Sequence, residues 1–169
     1  MKIIILGSTG SGKGTQAKFI SKLLKLEHID VGKHFRKIAN KNKKIKEYIM
    51  NGILVPDRVV LNLINKLIKN KKNYILDGFP RNLSQAKKFH DKVDLVLFLK
   101  VNKKNLIIRL LKRRREDDNL DNIHERFKVY LKQTLPVIRY YSKKKVLVTV
   151  NGNSSIKNVS KEIKKIFRN

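Results

Sequence analysis

Seven residues near the start of the chain have the types and the spacing to hold phosphate. Gly7-Ser8-Thr9-Gly10-Ser11-Gly12-Lys13 fits the pattern GxxxxGK. Glycines let backbone N–H groups turn inward and approach phosphate oxygens closely, and a helix that follows adds the partial positive charge of its N-terminus. Lys13 places a cation on the outer phosphates of a nucleoside triphosphate. The pattern is specific when a strand precedes it and a helix follows. Ile3–Leu6 supplies the strand-like run and Gly14–Leu24 the helical pattern. One departure matters. A Ser or Thr normally follows the lysine and holds magnesium, but Gly14 stands there and the hydroxyl comes one residue later, at Thr15. Magnesium would then depend on phosphates, water and another acid.

A second group follows, Asn73-Tyr74-Ile75-Leu76-Asp77-Gly78-Phe79-Pro80-Arg81. Its strand delivers Asp77 to a carboxyl end near the phosphate loop, where a carboxylate can bind magnesium directly or through water. Gly78 permits close backbone approach. Arg81 offers a planar fork to an acceptor phosphate. Gln85 lies one helical turn further on, and its amide both donates and accepts, which suits reading a base edge. Arg109 and Arg113 are four residues apart and share a helical face. Phosphoryl transfer needs in-line positioning and dispersed positive charge more than a strong base, and guanidinium groups supply that charge without any proton transfer. Taken alone, Arg113–Arg115 also reads as a solvated basic face.

The elements that must position these groups are legible as an alternation. Ile3–Leu6, Tyr74–Leu76, Leu95–Leu99 and Val146–Val150 are short apolar runs that read as buried strands. Gly14–Leu24, Pro56–Ile68, Leu83–Phe89, Lys103–Arg113, Asn122–Tyr141 and Ser155–Phe167 read as helices. Such alternation predicts an α/β fold, a parallel sheet with helices on both faces and ligands at the carboxyl ends of its strands. Two stretches fit that core poorly. Val31–Gly52 is helical but strongly basic, and Lys112–Asn119 is a charged knot between helices. Excursions of this kind serve as substrate clamps or lids, or are solvated surface loops.

Composition narrows the class. The 169 residues suit one domain. No apolar run is long enough to cross a membrane, and Met1-Lys2 leads into a run too short for a secretory leader, so a soluble cytoplasmic protein is expected. The absence of cysteine removes disulfides and thiolate-held zinc. The net charge of +28 is extreme. The excess is mostly lysine, scattered with Asn and Ile as a genome poor in G and C would favour, rather than clustered with stacking aromatics, which are 7%. It therefore reads as a basic surface more than as the footprint of a nucleic acid or an anionic membrane.

GSTGSGKGTQ, GILVPD, DGFPRNLSQA and RREDDN, in this order, resemble the adenylate kinases and their uridylate/cytidylate relatives over essentially the whole chain. DGFPR with Gln85 four residues after its arginine looks like the adenylate-kinase branch; the pyrimidine branch has asparagine there. The resemblance implies a three-layer P-loop fold on a five-stranded parallel sheet. Within a single domain, 1–169, it implies a helical acceptor-binding insertion over 30–55 and a very short, zinc-free lid over 112–119. It implies transfer from ATP to AMP with Mg2+, giving two ADP, and a monomer is expected. Gly10, Ser11, Gly12, Lys13, Gly14, Thr15, Arg109, Arg113 and Ser154 would bind ATP. Val31, Arg36, Ile53, Leu54, Val55, Gly78, Phe79, Pro80, Arg81, Gln85, Arg115 and Arg126 would bind AMP. Lys13, Arg81, Arg113, Arg115 and Arg126 would be the catalytic set, Asp77 would meet the metal through water, and Asp117 and Asp118 would tie the lid closed. Val31 stands where the family has threonine, so base choice would lean on Gln85 and backbone contacts. The alternatives are a UMP/CMP or broad-specificity monophosphate kinase and, from another class, an RNA-associated P-loop ATP-binding protein. His28, His34, His90 and His124 are expected to be surface or packing residues.

Overall fold

The computed structural model describes residues 1–113 and 119–168. Five parallel strands form one sheet in the order β2-β3-β1-β4-β5. They are β1 (Lys2–Leu6), β2 (Glu27–Asp30), β3 (Tyr74–Asp77), β4 (Leu95–Lys100) and β5 (Leu147–Asn151). The central strands are apolar on both faces because helices cover both. Ile3, Ile5, Ile75, Leu97 and Leu99 pack with Ala17 and Ile20 of α1 (Lys13–Leu24) and with Val159 and Ile163 of α9 (Ile156–Ile166). The alternate residues Ile4, Leu6, Leu76, Val96 and Phe98 face the other layer. That layer is built from α2 (Val31–Ala39), α3 (Lys43–Met50), α4 (Asp57–Ile68), α5 (Leu83–Lys88) and α8 (Leu135–Lys143). Two further helices, α6 (Lys103–Arg113) and α7 (Leu120–Val129), complete the described α-helices.

The strand missing from the four apolar runs is β2. Its sequence Glu-His-Ile-Asp carries a single buried apolar residue, Ile29, because β2 is an edge strand paired with β3 alone. Its pairing register sets Asp30 level with Asp77, and so brings the start of α2 to the carboxyl end of the sheet. The basic stretch Val31–Gly52 is two helices. Asp30 caps α2 by accepting from Lys33 N at 2.8 Å, and Asn42 caps α3 by accepting from Ile45 N at 3.0 Å.

The expected helix Asn122–Tyr141 is corrected in its middle. A π-helical turn, Tyr130–Thr134, separates α7 from α8. Leu135 N bonds to Tyr130 O five residues back, and Pro136 then has no N–H to restore the normal ladder. The wider turn presents Thr134, whose hydroxyl donates to Arg81 O at 2.7 Å. Gly10 shows why the phosphate loop needs glycine. Its φ is +84°, and a Cβ there would stand 2.8 Å from Leu110 Cγ and 3.0 Å from Leu106 O. The loop therefore rests directly on α6.

Candidate active site

β1, β3 and β2 end around one cleft of about 940 Å3, large enough for substrates of nucleotide size. Among the described residues, seven basic side chains line it, including Lys13, Arg36, Arg81, Arg109, Arg113 and Arg126, against two acids, Asp30 and Asp77. That imbalance suits polyanionic ligands.

One end of the cleft is the phosphate loop. Gly12 is the N-cap of α1 at φ +92°, and no side chain caps the helix, so its positive end faces the cleft. Lys13 Nζ folds back to donate to Gly7 O and Ser8 O, both at 2.8 Å. Arg109 spans from the loop to the segment after β5, donating to Asn153 O at 3.4 Å and Ser154 O at 3.3 Å. Ser11 Oγ and Ser154 Oγ are buried here without hydrogen-bond partners. Orphaned buried hydroxyls at a cleft wall fit a polar ligand.

Gly14 has a structural reason. A Cβ at that position would meet Asp77 Oδ2 at 3.2 Å, so the carboxylate crowds the room a side chain would need there. Asp77 is 7% exposed and lines the cleft, and the exposed Thr15 lines it too. A carboxylate at the phosphate end, with phosphate and water oxygens, suits a hard cation such as Mg2+. His28 lies behind it, with Nε2 3.7 Å from Asp77 Oδ2.

The other end is lined by Val31, Arg36, Ile53, Leu54, Val55, Gly78, Arg81, Gln85 and Arg126. Arg36 stands 4.0 Å from Asp30. Arg81 Nε donates to Gly78 O at 3.0 Å, and Arg126 donates to Ile49 O at 3.3 Å. Gly78 has φ +87°, and a Cβ there would touch Arg81 Nη2 at 3.5 Å. Two expected contacts do not line the cleft. Phe79 is fully buried, edge-on to Phe89 at 5.2 Å, and Pro80 is buried beside it. The apolar sheet layer claims Phe79 because the next side chain after the strand's end turns inward. Arg115, Asp117 and Asp118, and with them most of 112–119, lie outside the described residues. Reading the residues alone missed Asp57, Asn82 and Thr134, which hold Gln85 and Arg81 from behind. Asp57 belongs to the quoted GILVPD segment, but no spacing rule ties it to Gln85.

Burial holds the Lys13 ammonium down, to about 8; the Asp77 carboxylate opposes this, and Arg81 and Arg113 add to it. Bound phosphates favour the charged form and raise the value again. Binding of a polyphosphate near pH 8 is therefore expected to take up protons, and affinity should fall as pH rises past about 8. Calorimetry in two buffers of different ionisation enthalpy checks this. Equal heats in both, with a flat affinity profile from about pH 7 to about pH 9, would contradict it.

The family model for adenylate kinases matches residues 5–146. The chain is 36% identical to the adenylate kinase of Trichodesmium erythraeum, covering 97% of this chain and 96% of that protein. It is 37% identical to that of Encephalitozoon cuniculi, over 97% and 96%. Identity to that of Azobacteroides pseudotrichonymphae is 40%, over 99% of this chain and all of that protein.

Proposed function

The chain belongs to the adenylate kinase family, and from that premise we propose that it transfers a phosphoryl group reversibly from ATP to AMP, giving two ADP. The observation that carries the reading is one cleft with a phosphate loop at one end, a fork of Arg36 and Arg81 with Gln85 at the other, and Lys13, Arg113 and Arg126 lining it too.

In this reading an oxygen of the acceptor phosphate forms a bond to the terminal phosphorus of ATP as the bond to the bridging oxygen breaks. The chain contributes position and charge. Lys13 and the N-terminus of α1 hold the donor phosphates; Arg36 and Arg81 hold the acceptor phosphate; Arg113 and Arg126 disperse charge on the group in flight. Arg109 and the segment at Ser154 would take the adenine side of ATP. Val31 with Ile53, Leu54 and Val55 would cover the acceptor base. The insertion 30–55 would act as acceptor clamp and 112–119, with Arg115, as a minimal lid excluding water. Mg2+ held near Asp77 supplies charge neutralisation between the phosphates when bound.

A panel of AMP, CMP, UMP and GMP with ATP tests the proposal. AMP is expected to be the best acceptor. Rates higher with CMP or UMP would favour a pyrimidine or broad-specificity kinase. Tight RNA binding with no phosphate accepted by AMP would favour the RNA-associated alternative that the +28 charge motivates.

A further inference from the structure

Gln85 is 1% exposed yet lines the acceptor end of the cleft, and its amide is held at both ends. Oε1 accepts from the backbone N–H of Arg81 at 2.8 Å, and Nε2 donates to Asp57 Oδ1 at 2.9 Å. An inverted amide would set N–H against N–H and oxygen against carboxylate, so its neighbours allow one orientation. Asp57 is fixed in turn. Asn82 Nδ2 donates to the same Oδ1 at 2.7 Å, and Asn82 Oδ1 caps α5 by accepting from Gln85 N at 2.8 Å. Burial pushes the Asp57 carboxyl up, but hydrogen bonds from Asn82, Ser84 and Gln85 outweigh this and hold it below its ordinary value. At neutral pH it is therefore an acceptor only.

Each end of the Gln85 amide keeps one valence, a hydrogen on Nε2 and a lone pair on Oε1. A base that fits both must offer an acceptor to Nε2 and a donor to Oε1. Adenine and cytosine do so with the exocyclic amino group on Oε1 and the ring nitrogen on Nε2, whereas guanine or uracil seated the same way would set an oxo group against Oε1 and a ring N–H against Nε2. We propose that Asp57 is a positioning residue for acceptor specificity, holding the Gln85 amide in the orientation that favours 6-amino over 6-oxo purines. This rests on the reading above that the acceptor base lies against Gln85.

The test compares AMP with GMP, two purines of nearly equal size, as acceptors for the wild type, Asp57→Asn and Gln85→Leu. An asparagine at 57 can pair with either end of the amide, so the preference set by a charge-assisted bond is lost. In Asp57→Asn the ratio of kcat/KM for AMP to that for GMP is expected to fall about tenfold, with KM for AMP rising more than kcat falls. A residue that only supports the fold would lower both acceptors alike; an unchanged ratio overturns the proposal. If Gln85→Leu also leaves the ratio unchanged, the base is not read by Gln85 and the acceptor reading fails as well. If Gln85→Leu collapses the ratio and Asp57→Asn does not, the proposal alone fails. Should Asp57→Asn not fold, the wild type decides. The Gln85 Nε2 proton bonded to Asp57 is expected to exchange at least about tenfold more slowly than the side-chain amide protons of Gln133, and equal exchange would refute a locked amide.

Discussion

Lys13→Ala is expected to lower kcat by about a thousandfold while leaving the unfolding midpoint at or above that of the wild type. The functional half of this expectation comes from position. The Lys13 ammonium stands at the N-terminus of α1, part-buried, and in the free protein it is parked on the carbonyls of Gly7 and Ser8. Those bonds are replaceable by phosphate oxygens, which offer it a full opposite charge in a site from which water is displaced. The structural half comes from the sign of its shifted titration. Its folded value, about 8, lies below the ordinary 10.5. At pH 7 the group is charged in both folded and unfolded chains, so burying it opposes folding, and the opposition fades only as pH rises from about 8 toward 10.5. Removing the side chain removes that opposition. Turnover within about threefold of the wild type would overturn the role assigned to Lys13. A large loss of melting temperature would show instead that the lysine braces the loop.

How far this site was legible depends on what each residue answers to. Gly10 and Gly12 obey a local rule, since the loop geometry demands left-handed backbone, and the spacing announced them. Arg81 and Gln85 follow from a strand that ends at Asp77 and a helix capped by Asn82, again a local sequence. β2 was not legible as an apolar run because an edge strand of four residues buries only Ile29. The family resemblance supplied the fifth strand where hydrophobic patterning could not. Phe79 sits inside a motif of functional residues, yet its own ring answers to the core, packing on Phe89. Asp57 and Thr134 were not legible at all. Each acts across a tertiary contact, 28 residues from Gln85 and 53 from Arg81 respectively, and no periodicity reports such a meeting. The π-helical turn belongs with them, for Pro136 hints at a disturbed helix without saying which side chain it will present.

The same tertiary contacts make Arg81 the sharper mutational target. Its backbone is fixed from two sides, with its N–H on Gln85 Oε1 at 2.8 Å and its carbonyl on the Thr134 hydroxyl at 2.7 Å. Its Nε is held by Gly78 O at 3.0 Å. The root of the guanidinium is thus set before any ligand arrives, and little rotamer freedom remains to be lost on binding. All the main-chain bonds survive replacement of the side chain, so Arg81→Ala should fold and melt like the wild type. What it loses is the planar fork offered to the acceptor phosphate. Arg81→Ala is expected to lower kcat/KM for AMP about a thousandfold, and Arg81→Lys about a hundredfold, because an ammonium keeps the charge but neither the paired N–H geometry nor the Nε contact that aims it. KM for ATP should move less than about threefold in both variants, since the donor phosphates are held by the loop. Steady-state kinetics varying each nucleotide separately reads both quantities. A fall in kcat/KM for AMP of less than about tenfold in both variants would remove Arg81 from the acceptor site. An equal rise in KM for ATP would place its charge between the two nucleotides rather than on one of them.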